Sequence, residues 1–240
     1  MLSIMCASDV EKNIRNDRKR NVDILVGCGD LSPGYMDYLM SEFRPSVGVL
    51  IHGNHDEKYY RPYYSERNLK FSNIYKGFII INNGVINLKN FLGKDFFIAG
   101  FSGAMSYGDK PFHFSEKEVK HFYKKLSKIK YMNKKFDMIV SHHPPYIENT
   151  LPDSDEYHKP SKELGKIYRS FFPPVWLYGH LQRNYKKSDF DFEIHKNGEK
   201  SYMINSIPYK FMEYDEENKK ILNVTESYGI KFTKTDISLL

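Results

Sequence analysis

Residues Val47–Asp56 read VGVLIHGNHD, an apolar and β-branched run that stops at Gly53 and releases three polar side chains in succession. An apolar run of this length between turn signals predicts a buried strand, built here on Val47, Val49, Leu50 and Ile51. Glycine allows a tight turn at its end, so Asn54, His55 and Asp56 arrive together at a sheet edge, where α/β proteins place their ligands. An amide, an imidazole and a carboxylate can handle metals and protons there, although each also serves as a cap or loop hydrogen-bonder. What weighs between these readings is whether other strands end in the same way.

Outward from this stretch, Leu2–Ala7 is an apolar strand ending at Ser8-Asp9, and Val22–Cys28 is another ending at Gly29-Asp30. The charged segment Glu11–Asn21 between them suits an exposed helix or a helical turn with loop. Ser32 as N-cap and Pro33 at the first helical position open a helix, with Met36, Leu39, Met40 and Phe43 on one face until Pro45. Strand, helix, strand, helix, strand predicts a parallel sheet with right-handed crossovers.

Beyond Asp56, Tyr59–Tyr75 is aromatic, basic and aperiodic, and reads as loop with short helical pieces. Phe78–Ile81 and Val85–Leu88 around Asn82-Asn83-Gly84 predict a hairpin. Phe96–Gly100 is a strand running into the small-residue turn Phe101–Gly108. Ser115–Lys130 is a helix with Ser115 and Glu118 as a capping box, an apolar stripe of Val119, Phe122, Leu126 and Ile129, and lysines on the solvated side. Phe136–Val140 is a strand that breaks at Ser141-His142-His143-Pro144-Pro145. A helix over 161–171 follows, then the strand Val175–Tyr178 breaking at Gly179-His180. Tyr202–Asn205, Tyr209–Tyr214 and Lys219–Val224 read as closing antiparallel strands.

The 240 residues suit one large domain spanning 1–240, and neither a linker nor a repeat divides them. The net charge of +6, from 36 basic against 30 acidic residues, is spread along the chain; it is compatible with an anionic substrate and does not by itself point to nucleic acid. Cys6 and Cys28 lie in apolar runs and read as buried free thiols rather than a disulfide. No apolar stretch reaches membrane-spanning length and Met1–Ala7 is too short for a signal peptide, so a cytoplasmic protein without a membrane partner is expected.

Five strands thus share one grammar, an apolar run, a tight turn and then a metal-competent side chain. They deliver Asp9, Asp30, Asn54 with His55, His142 with His143, and His180. Carboxylate, amide oxygen and imidazole together suit Mn²⁺, Fe²⁺ or Zn²⁺. A carboxylate bridging two ions about 3.5–4 Å apart would make a two-metal hydrolytic centre.

The ordered set Ser8-Asp9, Gly29-Asp30, Gly53-Asn54-His55-Asp56, Ser141-His142 and Gly179-His180 resembles the calcineurin-like metallophosphoesterases over nearly the whole chain. The resemblance implies a two-sheet α/β/β/α sandwich. It implies Asp30 as the bridging ligand, Asn54, His142 and His180 completing one metal site, and Asp9 in the other. It implies His55 as the catalytic group facing the substrate and Asp56 as its support, with a hydroxide activated between two divalent ions attacking phosphorus. Asn54 and His55 would also contact substrate. Apart from the resemblance, His158, in a loop ahead of a helix, reads as a surface histidine, with a substrate contact as the alternative.

The sequence departs from the family pattern twice. Asp9-Val10-Glu11 stands where the family has Asp-x-His, and Gly179-His180-Leu181-Gln182 where it has Gly-His-x-His. If Glu11 and Gln182 point inward, Asp9, Glu11, Asp30 and Gln182 form an all-oxygen site favouring Mn²⁺ or Mg²⁺ over Zn²⁺. If they turn away, only the histidine-bearing site is strongly held. The expectation is a phosphoester hydrolase with two divalent ions, Mn²⁺ first, acting on a phosphodiester in preference to a monoester, a nucleotide being one such substrate. The rivals are a binding scaffold that kept the fold and lost the chemistry, and a nuclease using the same centre.

Overall fold

Alternation within each buried strand decides the layering, because successive side chains point to opposite faces. The structure is a computed structural model describing residues 1–14, 20–59, 74–75, 77–105, 112–132, 135–148, 158–181, 191–226 and 236–238. Its first half comprises β1 (Leu2–Ala7), β2 (Ile24–Gly27), α1 (Pro33–Phe43), β3 (Val47–Leu50), β4 (Ile74–Tyr75), β5 (Phe78–Ile80), β6 (Gly84–Asn87), the one-turn α2 (Lys89–Leu92) and β7 (Phe97–Phe101). The second half comprises β8 (Ala104–Met105), β9 (His113–Phe114), α3 (Glu116–Tyr131), β10 (Met138–Ser141), α4 (Lys162–Phe171), β11 (Val175–Tyr178), β12 (Phe192–Lys196), β13 (Glu199–Asn205), β14 (Tyr209–Asp215), β15 (Lys220–Glu226) and β16 (Asp236–Ser238).

The strands form two main sheets, ordered β15-β14-β1-β2-β3-β5-β4 and β16-β12-β13-β11-β10-β7-β6, beside a small β8-β9 pair. β1, β2, β3 and β5 run parallel in the first, and β7, β10, β11 and β13 run parallel in the second. In β1 to β3, Ile4, Cys6, Ile24, Val26, Val47 and Val49 face the second sheet and meet Ile98, Met138, Val140, Val175, Leu177 and Ile204. The alternate residues Met5, Leu25 and Leu50 pack under α1 against Met36, Leu39 and Phe43. Ala99, Ile139 and Trp176 pack under α3 and α4 against Phe122, Leu126, Leu164 and Ile167. Both faces of each parallel core are therefore covered, which is why these strands read as continuous apolar runs. The result is an α/β/β/α sandwich.

Ser32 and Pro33 start α1 as expected, the Ser32 hydroxyl accepting the Tyr35 N–H. The Ser115–Glu118 capping box starts α3, with the Ser115 N–H donating to Glu118 Oε2 at 2.7 Å. Cys6 and Cys28 are buried and free.

The expected hairpin at Asn82-Asn83-Gly84 is not formed. β5 pairs parallel with β3 in the first sheet, whereas β6 pairs antiparallel with β7 in the second. The turn is instead a crossing between layers, held where Ser102 donates its N–H to Asn83 Oδ1 and its hydroxyl to Asn82 Oδ1. Of the closing strands, β14 and β15 pair antiparallel as expected, but the first one departs from that run. β13 joins the second sheet parallel to β11, while β14 crosses to pair antiparallel with β1. The expected loop at Tyr59–Tyr75 lies mostly outside the described residues.

Candidate metal centre

β1, β2, β3, β10 and β11 all end at one edge of the sandwich, and their turns approach so closely that glycine is demanded. A Cβ on Gly29 would lie 2.5 Å from the Gly53 nitrogen and 2.7 Å from His142 Nδ1. One on Gly53 would lie 2.1 Å from Asp30 Oδ1, and one on Gly179 would lie 2.0 Å from Ser8 Oγ. Asp9, Asp30 and His180 themselves sit in the left-handed region at φ 59°, 57° and 65°. Non-glycine residues held there cost about 1–3 kcal/mol each, and such strain collects at functional sites.

The carboxylates of Asp9 and Asp30 and the His142 ring converge, their candidate ligand atoms all within 4.8 Å of one another. His142 is completely buried. Its Nδ1 lies 2.8 Å from the Cys28 carbonyl oxygen, so Nδ1 carries the proton and donates. Nε2 is then directed at Asn54 Oδ1, 3.1 Å away, and at Asp30 Oδ2, 3.3 Å away. A ring nitrogen with its lone pair facing two oxygen acceptors is stable only if a cation, whether proton or metal, lies among them.

The titration behaviour follows the same geometry. Burial works against a charged His142, yet the neighbouring Asp30 outweighs it and pushes the imidazole up to about 10. Burial likewise disfavours the Asp30 carboxylate, but His142 overcomes it and takes that carboxyl well below the usual range. Asp9 moves upward, because burial and the like charge of Asp30 outweigh the help from His142, Ser8 and the His180 N–H. Two carboxylates so placed call for positive charge. The donor set of carboxylate, amide oxygen and imidazole fits a divalent cation.

Asp9 Oδ2 accepts the backbone N–H of His180 at 2.9 Å, joining β1's turn to β11's. The His180 ring lies about 5 Å, centroid to centroid, from the rings of His142, His143 and His158. His55 donates its backbone N–H to Asp30 Oδ1 at 2.8 Å while its side chain is exposed at the mouth. Asp56 is buried beneath the turns, its Oδ2 accepting the N–H groups of Asp30 and Gly53. It braces the backbone that carries Asp30. His143 is buried, with Nε2 donating to the Lys159 carbonyl.

Glu11 is not one of the three residues whose ligand atoms converge. Its exposed carboxylate accepts the Ser32 N–H at 2.6 Å, at the start of α1, where a helix offers unpaired donors and partial positive charge. Gln182 is outside the described residues. Two positioning groups escaped the sequence reading. Ser8 Oγ lies 2.5 Å from Asp9 Oδ2, and the Asn205 side-chain amide donates to the carbonyl of Leu181, the residue after His180. Ser8 stood beside a flagged aspartate; nothing local marked Asn205.

The family model for calcineurin-like phosphoesterases matches residues 5–184. The chain belongs to that family. As a calcineurin-like phosphoesterase it is, in general terms, a metal-dependent phosphoester hydrolase, and the family typically binds two divalent metals. A search of curated proteins returns no match. Among solved structures, TT1561 of Thermus thermophilus is similar at 13% identity and TM-score 0.58, over 93% of this chain and 98% of that one. The phosphopantetheinyl hydrolase of Mycobacterium tuberculosis is similar at 11% identity and TM-score 0.46, over 85% and 88%. Vacuolar protein sorting 29 of Cryptosporidium parvum is similar at 11% identity and TM-score 0.37, over 93% and 95%. The likeness to TT1561 concerns the fold alone. Among the described residues no helix is long and apolar enough to cross a membrane.

Proposed function

We propose that this phosphoesterase hydrolyses a phosphodiester with two divalent cations, Mn²⁺ foremost, held at the edge by Asp9, Asp30 and His142, whose ligand atoms converge, with Asn54 and His180 from the neighbouring turns. The observation that carries the reading is His142, whose Nδ1 is committed to Cys28 while Nε2 faces Asn54 Oδ1 and Asp30 Oδ2. Cations bound there would draw charge from the phosphoryl oxygens and acidify a water. Asp30, pinned by His55 and Asp56, is the bridging carboxylate in this reading. Asp9, fixed by Ser8 and the His180 N–H, serves the second ion.

His55 is the proton donor to the departing oxygen. Its backbone is tied to Asp30, its ring is exposed at the mouth, and it lies close enough to help depress the Asp30 carboxyl. His158, whose ring lies 5.0 Å from the His180 ring, serves as a substrate contact in this reading. The diester preference rests on the sequence, in which no stretch reads as a separate cap domain that would enclose a small monoester.

The reading is tested by stripping the protein with chelator, restoring Mn²⁺ and comparing bis-p-nitrophenyl phosphate with p-nitrophenyl phosphate. Faster turnover of the diester supports it; a monoester preference removes the substrate assignment. A second reading, a binding scaffold with weak or lost chemistry, is favoured by the engagement of Glu11 with α1. Metal content separates the two, since two equivalents support the enzyme and one or none supports the scaffold.

A further inference from the structure

At the opposite edge of the sandwich, where the parallel strands begin, the chain builds a second concavity. Phe136 precedes β10, Pro174 precedes β11, Asn197 and Gly198 turn β12 into β13, and Asn218 and Lys219 turn β14 into β15. With the last turn of α4 these segments line a cavity of 630 Å³. Cavities of about 300–1,000 Å³ hold small-molecule ligands. Along β10, the run from Phe136 to His142 spans about 20 Å, so this cavity is separate from the metal-competent cluster.

Six lysines and one arginine line it against a single carboxylate, Glu199. A whole-chain ratio of 36 to 30 does not account for that excess. Some of it is neutralised locally. Lys200 pairs with Glu193, Lys219 with Asp137, and Lys220 faces Asp215 across the strand pair. Lys135 and Glu199 lie 3.9 Å apart with both side chains exposed, an arrangement that contributes little.

Lys130, Arg169 and Lys196 are different. Lys130 Nζ donates to the Ser170 carbonyl at 2.8 Å, and Lys196 Nζ donates to the Arg169 carbonyl at 2.8 Å. Arg169 Nη1 reaches the Tyr146 carbonyl at 3.4 Å. The two ammonium groups also sit over the Phe171 and Phe172 rings, at 5.5 and 5.9 Å. Capping the end of α4 explains one contact of each lysine. It leaves two further N–H donors on each ammonium and neutralises no formal charge. Like charges drawn from α3, α4 and the β12–β13 hairpin into one concavity repel one another and focus a positive field inside it.

We propose that this cavity binds a small oligophosphate, a ligand carrying two or more phosphate groups, either inorganic or as the tail of a nucleotide. More than one phosphate is required because the cations stand on separate elements around a volume larger than a single phosphate fills. Lysine serves phosphate as a point charge and arginine as a fork.

The test is isothermal titration of the full chain with inorganic triphosphate and, separately, with ATP, at low and high salt. Binding that weakens with salt is expected, at least tenfold weaker in Lys130→Gln/Lys196→Gln, which removes both charges and keeps polar side chains. Should that variant fold poorly, Lys135→Glu, at an exposed position of the lining, is expected to weaken binding in the same direction. Asp30→Asn, at the other edge, should bind unchanged, which keeps this site separable from any failure of the proposed hydrolysis. Equal affinity for the two ligands assigns recognition to the phosphates, and tighter ATP binding adds the nucleoside; both support the site. Wild-type affinity in the lysine variants, loss of binding in Asp30→Asn, no binding of either ligand, or tighter binding of a single-stranded oligonucleotide would overturn it.

Discussion

Asp56 Oδ2 accepts the backbone N–H of Asp30 at 2.9 Å and, at 2.8 Å, that of Gly53. One buried carboxylate thus ties the turn after β2 to the turn after β3 and fixes where the Asp30 side chain emerges. Burial, aided by the charge of Asp30, raises the Asp56 carboxyl to about 7.

Asp56→Ala strands both N–H groups in a buried site, at about 1–3 kcal/mol for each one left unpaired. Displacing Asp30 by about 1 Å is expected to lower kcat/KM on the order of 10²-fold. Asp56→Asn keeps an acceptor oxygen and should retain more of both. Denaturant unfolding and steady-state kinetics on the two variants check the order.

Gly179→Ala places a methyl 2.0 Å from Ser8 Oγ and 2.6 Å from Asp9 Oδ2. Asp9 must move, and with it the contact to the His180 N–H. Divalent-metal affinity, measured by titration calorimetry with Mn²⁺, is expected to fall about 10–100-fold, the usual cost of disturbing groups that orient ligands.

The sequence announced the parts of this site that are local and left out those that are not. A strand buried on both faces must be an apolar run, so β1, β2, β3, β10 and β11 were visible, and the polar residue after each could be counted. Strand partnership is non-local. Asn82-Asn83-Gly84 has hairpin chemistry, yet β5 pairs with β3 in one sheet and β6 with β7 in the other. The left-handed backbone of Asp9, Asp30 and His180 follows from the crowding of five turns, which no single turn reveals. Glu11 illustrates the same limit: two residues after Asp9 in sequence, it is drawn to the N-terminus of α1, whose position depends on the assembled sheet. Asn205 supports the His180 turn from a strand that carried no signal of its own.

Lys210 is buried and paired with Asp191, whose other oxygen accepts the Asn205 N–H. Removing only the cation, as in Lys210→Met, takes this counter-charge from the largely buried Asp191 carboxylate and should cost about 3 kcal/mol in chemical denaturation. Adding Asp191→Leu should recover part of the loss and no more, because the Asn205 N–H then lacks its acceptor.

Burial pushes the Cys6 thiol from 9.0 up to about 11, against the opposing influences of Ser206 and Lys210. The folded chain therefore holds this proton where the unfolded chain releases it. Stability falls as pH rises from about 9 through 11 and is untouched by Cys6 below that window. The stability difference between wild type and Cys6→Ala should be flat below pH 9 and decline above it. At pH 8 neither Cys6 nor Cys28, both buried, should react with a thiol reagent until the protein unfolds.

The central claim, a cation-dependent phosphoesterase centred on Asp30, is tested most directly by p-nitrophenol release from bis-p-nitrophenyl phosphate. Wild type and Asp30→Asn are compared after chelation and again after Mn²⁺ is restored, with matched folding verified by circular dichroism. Wild-type turnover should stop with chelator and return with Mn²⁺, while Asp30→Asn remains lower by about 10³-fold. Turnover that survives chelation, an Asp30→Asn rate equal to wild type, or no turnover with Mn²⁺, Fe²⁺, Zn²⁺ or Mg²⁺ would contradict it.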